Sequence, residues 1–328
     1  MIMSGKMARL ILSFIVCVTL ITTVSTSGAL AGTFPSRAIR MLVPYGVGGT
    51  TDMITRALAA VAPVYLNDQS LIAVIKPGAG GAIAGAYHVK QPASGYLLIN
   101  ASPGHMTAKP HTTDTGYTYR DYEPIAYIGD DPYVYCVHAD SPFMTMQGVL
   151  EYAKKNPGKL TVSACSPGTL HHLSVEYLQM IAGVKLTYVP YKCFGPSTAA
   201  LLGKHVDMSS PGPASVSPHI AAGKLRPLAV SGGKRRKGID APAMAELGYP
   251  VPFMSWKGIF AKKGIAKEER DFLVKAFRDI LHDKSFLAMM KRLDQPVSYK
   301  GPEELAKLCE KEDALIADLV KKLGLKKK

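Results

Sequence analysis

The sequence predicts an α/β fold of two lobes, each built on a mostly parallel β-sheet flanked by helices, with two crossover strands between the lobes. Short β-rich runs alternate with segments whose apolar residues recur at helical spacing, which is typical of parallel sheets covered by helices. At 328 residues the chain is too long for one small core. Turn signals at 130–132 and 231–233 bracket a central block, as expected if the chain crosses between two lobes twice.

The N-terminal segment predicts export from the cytoplasm. Lys6 and Arg9 precede an apolar run at 10–20, and Ala29 and Ala31 then supply small residues at the two positions that a signal peptidase reads, so the cut is expected between Ala31 and Gly32. The run is short for a membrane span of roughly 20 residues, so cleavage is favoured over an uncleaved anchor. The remaining chain has no apolar stretch of that length, and we expect a soluble protein outside the cytoplasmic membrane.

The composition indicates which kinds of ligand and partner the protein binds. The formal net charge of +14 creates a positive field that favours anionic solutes. The basic clusters at 234–237 and 326–328 have no interleaved aromatic residues, so a nucleic-acid partner is not expected. Neither a metal nor a cofactor is expected, because the cysteines have no C-x-x-C spacing. The cysteines after the leader are Cys136, Cys165, Cys193 and Cys309.

Strand and helix patterns alternate along the mature chain. Strands are predicted at 38–43, 71–76, 96–101, 133–138, 160–163, 185–190, 206–209, 226–231 and 256–261. Helices are predicted at 51–66, 82–91, 146–156, 170–181, 196–204, 214–222, 267–282 and 302–323. The expected division is a signal peptide at 1–31, a discontinuous first lobe at 33–131 plus 232–328, and an inserted second lobe at 132–231. Ligands of such sheets bind beyond the carboxyl ends of the strands, in the cleft between the lobes.

A glycine-rich turn follows the first predicted strand and opens a helix. Gly48 and Gly49 let the backbone approach a ligand, while Thr50 and Thr51 can cap the helix and donate hydroxyl groups. The exposed amides at this helix N-terminus favour a bound carboxylate. A dinucleotide is the alternative, but the spacing is not G-x-G-x-x-G, and Lys76 ends the second strand where an acidic residue would be expected.

Three further strands end in comparable turns. The turn at 76–85 repeats the small residues and exposed amides of the first, although close packing of a helix on a sheet would need the same residues. In the central block, Ser166 and Thr169 follow a strand and can offer hydroxyls and helix-start amides to an anion. After the next strand, Tyr191 can wall a pocket, and Lys192 is either a site residue or a surface charge.

Taken in order, these turns resemble one protein family, the periplasmic solute-binding proteins of tripartite tricarboxylate transporters, or Bug family. The resemblance spans nearly the whole mature chain, and the ordered set is more specific than any single turn. The segments that carry it are Pro-Tyr-x-x-Gly-Gly-x-x-Asp at 44–52, Lys-Pro-Gly-Ala-Gly-Gly at 76–81, Ser-Gly-Tyr at 94–96, the turn at 166–173, Val-Pro-Tyr-Lys at 189–192 and His-Ile-x-x-Gly-Lys-Leu at 219–225.

The resemblance implies a Venus-flytrap fold that closes on a small organic carboxylate and performs no chemistry on it. It implies that this binding protein delivers its ligand, in the periplasm, to the integral-membrane permease subunits of a tripartite transporter; we expect a monomer. Carried over position by position, the ligand-binding residues are Tyr45, Gly48, Gly49, Thr50, Thr51, Asp52 and Ser102 in the first lobe and Ser166, Thr169, His172, Tyr191 and Lys192 in the second.

The sequence departs from the family pattern at four positions that are also expected in the site. The family commonly has glycine where Cys165 and Cys193 stand, and often Asp-Asn where Pro211 and Gly212 stand. Such positions face the variable end of the ligand, so the usual substrates are not transferred to this chain. Because the two cysteines follow neighbouring strands, either a disulfide joins them across the site or two small residues fill space there.

Two other functions fit parts of the pattern. An enzyme could use Cys165 as a thiol nucleophile with His171 or His172 as its base, but both histidines lie just inside a helix, where His171 can point away to solvent. A sensor component that docks to a receptor kinase would share the binding chemistry and differ only in its partner. Trp256, the only tryptophan, either lines the cleft or fills the core, and the core is favoured.

Overall fold

The fold is described from a computed structural model that covers residues 33–192 and 194–325. Within these ranges the strands form two five-stranded sheets that are flanked by helices. This is the α/β architecture of two lobes that the sequence predicts. In the same ranges, every helix is either too short or too polar to span a membrane.

The first sheet lies at the centre of the first lobe. β1 pairs in parallel with β2 and β3, whereas β10 runs antiparallel to both β3 and β4, so four of the five strands point the same way. The order is β2-β1-β3-β10-β4. These strands are β1 (Ile39–Val43), β2 (Leu71–Ile75), β3 (Leu97–Ala101), β4 (Tyr122–Pro132) and β10 (Met254–Lys262).

The second sheet has the same mixed design and the order β7-β6-β8-β5-β9. β6 pairs in parallel with β7 and β8, and β5 runs antiparallel to β8 and β9. The inner strands β1 and β6 are buried at four of their five positions because helices cover the sheet faces, whereas the edge strands β2 and β7 are more exposed. These strands are β5 (Val134–His138), β6 (Thr161–Cys165), β7 (Thr187–Tyr191), β8 (Met208–Ser209) and β9 (Leu225–Val230).

The helical spacing in the sequence located most helices to within a few residues. The helices are α1 (Thr50–Val61), α2 (Ala82–Lys90), α3 (Lys109–Thr112), α4 (Met146–Lys155), α5 (Leu170–Ala182), α6 (Phe194–Leu202), α7 (Pro213–Ala221), α8 (Lys267–Leu281), α9 (Lys284–Arg292) and α10 (Pro302–Lys322). A turn of π-helix at Gly104–Ala108 runs directly into α3, and we call residues 104–112 the bridging segment. The sequence analysis had not predicted the bridging segment or α9.

Strand β4 was also missed, although it carries the first crossing between the lobes. Pro124 and Gly129 interrupt its pattern, and its pairing with β10 contains two register shifts, which break the regular alternation of side chains. At Gly129 a Cβ atom would lie 2.2 Å from the backbone oxygen of Pro296, so a side chain is excluded there. β4 leads through Tyr133 into β5, and β10 follows the return of the chain from β9.

Helix α10 packs against both lobes. Its N-terminal half places Leu305 and Cys309 in a core cluster with Trp256. Its C-terminal half places Ile316 and Leu319 in the core cluster of the second sheet. Trp256 is 1% exposed, which confirms that it fills the core.

Glu312 lies near the middle of α10, where the helix passes from one lobe to the other. The carboxylate oxygen Oε2 accepts hydrogen bonds from Thr107 Oγ1 at 2.6 Å and from Trp256 Nε1 at 3.1 Å. Burial raises the pKa of Glu312 from 4.5 to about 7, and the two hydrogen bonds offset only part of this effect. The folded protein therefore holds a proton on Glu312 more tightly than the unfolded chain does.

We expect the Glu312→Gln variant to be more stable than the parent protein at pH 8 and to lose this advantage near pH 4.5. The raised pKa means that Glu312 favours the folded state at low pH, and that this contribution is lost as pH rises from 4.5 through about 7. A neutral glutamine can accept the same two hydrogen bonds without ionising. Melting temperatures measured across this range test the prediction. The control is Glu310→Gln, which replaces an exposed glutamate on the same helix. If the melting temperatures of the two variants followed the same pH dependence, the prediction for Glu312→Gln would be contradicted.

Candidate functional site

The predicted turns of the two lobes lie near each other, and we call the space between them the cleft. The turns after β1, β2 and β3 lie at one edge of the first sheet, and those after β6, β7 and β8 lie at one edge of the second, because the strands of each set run parallel. The two edges approach each other closely, since a Cβ atom added at Gly80 would lie 3.8 Å from Cγ2 of Thr169. The carboxyl ends of the strands thus face a shared space.

The turn after β1 presents an uncapped helix N-terminus. The N-cap residue is Gly49, which has no side chain to occupy the first amides of α1. Gly48 adopts a positive φ of 76°, a conformation that favours glycine. The carboxylate of Asp52 accepts from the Gly48 amide at 2.9 Å and from Arg56 Nε at 2.8 Å. Asp52 therefore stabilises the turn through its own hydrogen bonds, and the amides at the start of α1 remain available to an anion.

Tyr45 and Ser102 join the ends of β1 and β3. Their hydroxyl groups lie 2.6 Å apart, and Gly104 makes room for the pair, because a Cβ atom there would lie 3.1 Å from the Tyr45 hydroxyl. Burial raises the pKa of Tyr45 to about 12, so the phenol stays protonated. His105 lies beside Tyr45 and is fully buried, and burial lowers its pKa to about 3. This wall of the cleft is polar and uncharged.

In the second lobe, His171 links three elements of the cleft. Its Nδ1 accepts from the backbone N–H of Cys165 at 3.0 Å, and its Nε2 lies 2.8 Å from Ser210 Oγ. Burial lowers the pKa of His171 to about 3, so the ring is neutral and carries its proton on Nε2, which donates to Ser210. The ring also stacks on Tyr133 at 4.8 Å between centroids. The expectation that His171 can point to solvent was wrong, because the side chain is 3% exposed.

The predicted residues Ser166, Thr169 and His172 hold the turn after β6 in shape. Thr169 Oγ1 donates to the Ser166 carbonyl at 2.8 Å and accepts from the His172 amide at 3.3 Å, which caps α5. Ser166 Oγ donates to the carbonyl of Tyr191 at 3.4 Å and so joins the turns after β6 and β7. The structure brings these predicted residues together in one turn pair. Lys192 is exposed, and Cys193 lies outside the described residues.

Phe194 and Gly212 lie next to each other in the second lobe. The half-buried Phe194 ring lies edge-on to Tyr133 at 6.3 Å and to His171 at 5.1 Å. A Cβ atom on Gly212 would come within 3.2 Å of the Phe194 ring, so glycine makes room for it. Pro211 offers no N–H, and its carbonyl accepts from the Val134 amide at 2.8 Å. Tyr133, His171 and Phe194 therefore form an aromatic cluster, which we call the aromatic wall, beside the start of α7, where the N-cap Gly212 offers no capping side chain.

The bridging segment connects the lobes across the cleft. Lys109 Nζ donates to the Pro167 carbonyl at 3.3 Å, and Thr112 Oγ1 donates to the Gly168 carbonyl at 3.2 Å. Burial lowers the pKa of the half-buried Lys109. No ion pair of Lys109 with an acidic residue occurs among residues 33–192 and 194–325. An uncompensated ammonium group in this position favours an anionic ligand.

Sequence reasoning missed several residues of the cleft. Two sequence features lie near some of these residues, namely the Asp-Asp-Pro turn before Tyr133 and the short polar run after the third strand. Neither feature has the periodicity of a helix or a strand. The missed residues are Tyr133, His105, Lys109, Thr112, Ser210 and Phe194.

The cysteines do not support a thiol nucleophile. Cys165 is disulfide-bonded, whereas Cys136 and Cys309 are buried free thiols. His171, one of the two histidines that such an enzyme could use as its base, accepts from the backbone amide of Cys165. The disulfide of Cys165 and the hydrogen bond of His171 thus stabilise the fold.

We expect Cys193 to be the disulfide partner of Cys165, because β6 and β7 are paired neighbours with Cys165 opposite Tyr191. The mature protein, denatured without reductant, should then react with a thiol probe only at Cys136 and Cys309. Reduction should expose all four cysteines that follow the leader. Mass spectrometry of the labelled peptides measures this, and four labelled cysteines before reduction would exclude the bridge.

The chain is similar to proteins of one family over most of its length. A family model described as "Tripartite tricarboxylate transporter family receptor" matches residues 54–325. A Cupriavidus necator protein named "UPF0065 protein in gbd 5'region" is 33% identical over 302 residues, which cover 91% of this chain and 91% of that protein.

Solved structures extend the similarity to the fold. The periplasmic binding protein BugD is 31% identical with a TM-score of 0.77, and the match covers 90% of this chain and 100% of BugD. A structure titled "R. palustris Rpa4515 with adipate" is 28% identical with a TM-score of 0.76, and covers 89% of this chain and 98% of the other. The predicted two-lobed binding-protein fold is confirmed.

Proposed function

Because the chain belongs to the family of tripartite tricarboxylate transporter receptors, we propose that it captures a small organic carboxylate between its lobes and delivers it to membrane permease subunits. The family is one of solute-binding receptors and not of enzymes, and its structural relatives are periplasmic binding proteins. The related Rpa4515 structure, whose title names adipate, supports a carboxylate as the class of ligand.

The observation that carries the proposal is the uncapped N-terminus of α1 opposite the bridged turns of the second lobe. The first amides of α1 have no side-chain partner because Gly49 is the N-cap, and α2 likewise begins at Gly81 without a capping side chain. Helix N-termini attract anions through their free N–H groups and their dipoles. Lys109 adds one full positive charge where the two lobes touch. A carboxylate in the cleft would satisfy donors from both lobes.

Closure of the lobes follows from this arrangement. Amides of the first lobe and polar groups of the second engage one ligand together only when the edges are close, so the ligand binds the closed state more tightly and shifts the population toward it. The site residues in this proposal are those predicted from sequence, with Tyr133, Lys109 and His171 added. We further propose that the chain acts in the periplasm after cleavage before Gly32, a position outside the described residues.

The mature protein should bind at least one acid of a panel made of acetate, benzoate, succinate, adipate and citrate at a single saturable site. Binding to the native state alone raises the melting temperature, so thermal shift identifies the acid and isothermal titration calorimetry measures its affinity and stoichiometry. The amide or methyl ester of the same acid is the control and should bind at least tenfold more weakly, since it lacks the charge that the amides recognise. Unchanged melting temperature and no binding heat for every acid would refute the proposal.

Replacing Lys109 with methionine should weaken binding of that acid by roughly tenfold or more, because a hydrogen bond to a charged group contributes about 1.5–3 kcal/mol. The aliphatic part of the side chain is kept, so its packing against Gly80 is preserved. Calorimetry compares this variant with Lys90→Met, which removes an exposed lysine of α2. Equal affinities of the two variants would show that Lys109 does not contact the ligand.

A further inference from the structure

We propose that an ion pair between Arg236 and Asp294 joins the two lobes and strengthens ligand binding by favouring the arrangement in which the cleft edges are close. The inference rests on the proposed function, because it names positioning residues for capture in the same cleft. Arg236 Nε donates to Asp131 Oδ1 at 3.0 Å, and Arg236 Nη2 donates to Asp294 Oδ1 at 2.9 Å. We call these three side chains the clasp.

The segment that carries Arg236 packs on the second lobe. Ala241 and Ala243 lie in one core cluster with Val230 of β9. The amide of Val230 also donates to the carbonyl of Pro242 at 2.9 Å, so this segment continues the second sheet at the β9 edge. Arg236 is therefore anchored to the second lobe.

Asp294 is anchored to the first lobe. It follows α9, whose Met290 lies in the core cluster of the first sheet, and the amide of the next residue, Gln295, donates to the Met290 carbonyl at 3.0 Å. The Ser298 amide donates to the carbonyl of Ile128 in β4 at 2.9 Å. The chain after Asp294 thus runs beside β4, which β10 separates from β3 in the sheet. The clasp lies at this outer strand and not among the turns after β1, β2 and β3.

Both oxygens of the Asp294 carboxylate contact the second lobe. Oδ1 accepts from Arg236, and Oδ2 accepts from Ser217 Oγ on α7 at 3.5 Å. Arg236 Nη2 also donates to the backbone carbonyl of Asp294 at 2.9 Å. These partners are far apart along the chain and lie on separate elements of the second lobe. A rotation of one lobe against the other would therefore separate Asp294 from them.

The clasp forms in the arrangement in which the cleft edges approach each other, as the short distance between Gly80 and Thr169 shows. A contact that exists in one arrangement raises its population, and the apparent affinity of a ligand rises with the population of the arrangement that binds it. The Asp294 side chain is 47% exposed. Ion pairs with this exposure are weak, so we expect an effect on affinity of roughly two- to fivefold.

Asp294 is the position at which the contact between lobes can be removed alone. Burial raises the pKa of Asp131 to about 6, and Arg236 offsets part of this effect. Loss of Arg236 would leave the buried Asp131 without its partner and lower the stability of the fold. Asp294 has a φ of 51°, a left-handed conformation that asparagine also tolerates. Asp294→Asn therefore keeps the backbone and removes only the charge.

Calorimetry tests the clasp with the acid that thermal shift selects from acetate, benzoate, succinate, adipate and citrate. Mature Asp294→Asn should bind this acid roughly two- to fivefold more weakly than the parent protein. Asp294→Lys, which places two cations together, should bind it more weakly still. The matched control is Glu246→Gln, because Glu246 pairs with the adjacent Arg235 at 2.8 Å and is 40% exposed, but lies beside Met244 in the second lobe. Melting temperatures without ligand establish that the variants are folded.

Two further measurements separate a clasp from a merely structural role. At an ionic strength of about 1 M, where the screening length is about 3 Å, the difference in affinity between the parent protein and Asp294→Asn should shrink. Small-angle X-ray scattering at low ionic strength should give unliganded Asp294→Asn a larger radius of gyration than the parent protein. Saturation with the acid should remove this difference, because the ligand then holds the lobes together.

Equal affinities of Asp294→Asn and Glu246→Gln, or tighter binding by Asp294→Asn, would overturn the inference and leave carboxylate capture intact. A loss of affinity that is unchanged at high ionic strength would also overturn it. Failure of every acid to bind would instead refute the proposed function. Scattering from the unliganded proteins would still test the clasp in that case, since equal radii of gyration of Asp294→Asn, Asp294→Lys and the parent protein would exclude it.

Discussion

The cleft depends on one topological constraint. In both sheets, the carboxyl ends of the parallel strands point toward the edge where the chain crosses between the lobes. The two crossings are tied to each other at that edge, since the Tyr133 amide donates to Ser231 Oγ and the Ser231 amide donates to the Tyr133 carbonyl, both at 2.8 Å. β4 and β10 pair along most of their length just before this point. Turns from both lobes consequently meet beside the two joined crossings, and helix α10 adds a third connection through its packing in both cores.

The electrostatic design of the site is local and owes little to the net charge of the chain. Two buried imidazoles, those of His105 and His171, are neutral because burial lowers their pKa values to about 3. Asp52 is compensated by Arg56 and the Gly48 amide. What remains to attract an anion are the free amides at helix starts and the ammonium group of Lys109. Such donors are fixed before the ligand arrives, so binding requires little reorganisation.

Sequence patterns predicted the parts of the fold that repeat with a fixed period. Buried parallel strands and amphipathic helices have such periods, and most were located to within a few residues. Strand β4 was not predicted because Pro124, Gly129 and two register shifts against β10 disrupt the alternation of its side chains. The glycine turns were recognised because glycine is needed for positive φ, as Gly48 shows. Tyr133, Lys109 and Phe194 were not recognised because their roles arise from contacts between lobes or between neighbouring turns, which no local pattern encodes.

Tyr133 joins the crossing between the lobes to the aromatic wall. Its backbone belongs to the first crossing through the bonds with Ser231, while its ring is the base on which His171 stacks and against which Phe194 packs. Any rotation about the crossing would therefore move the aromatic wall relative to Tyr45 and the start of α1. Under the proposed capture between the lobes, a ligand that contacts both lobes would favour the arrangement in which the two sets of contacts form together.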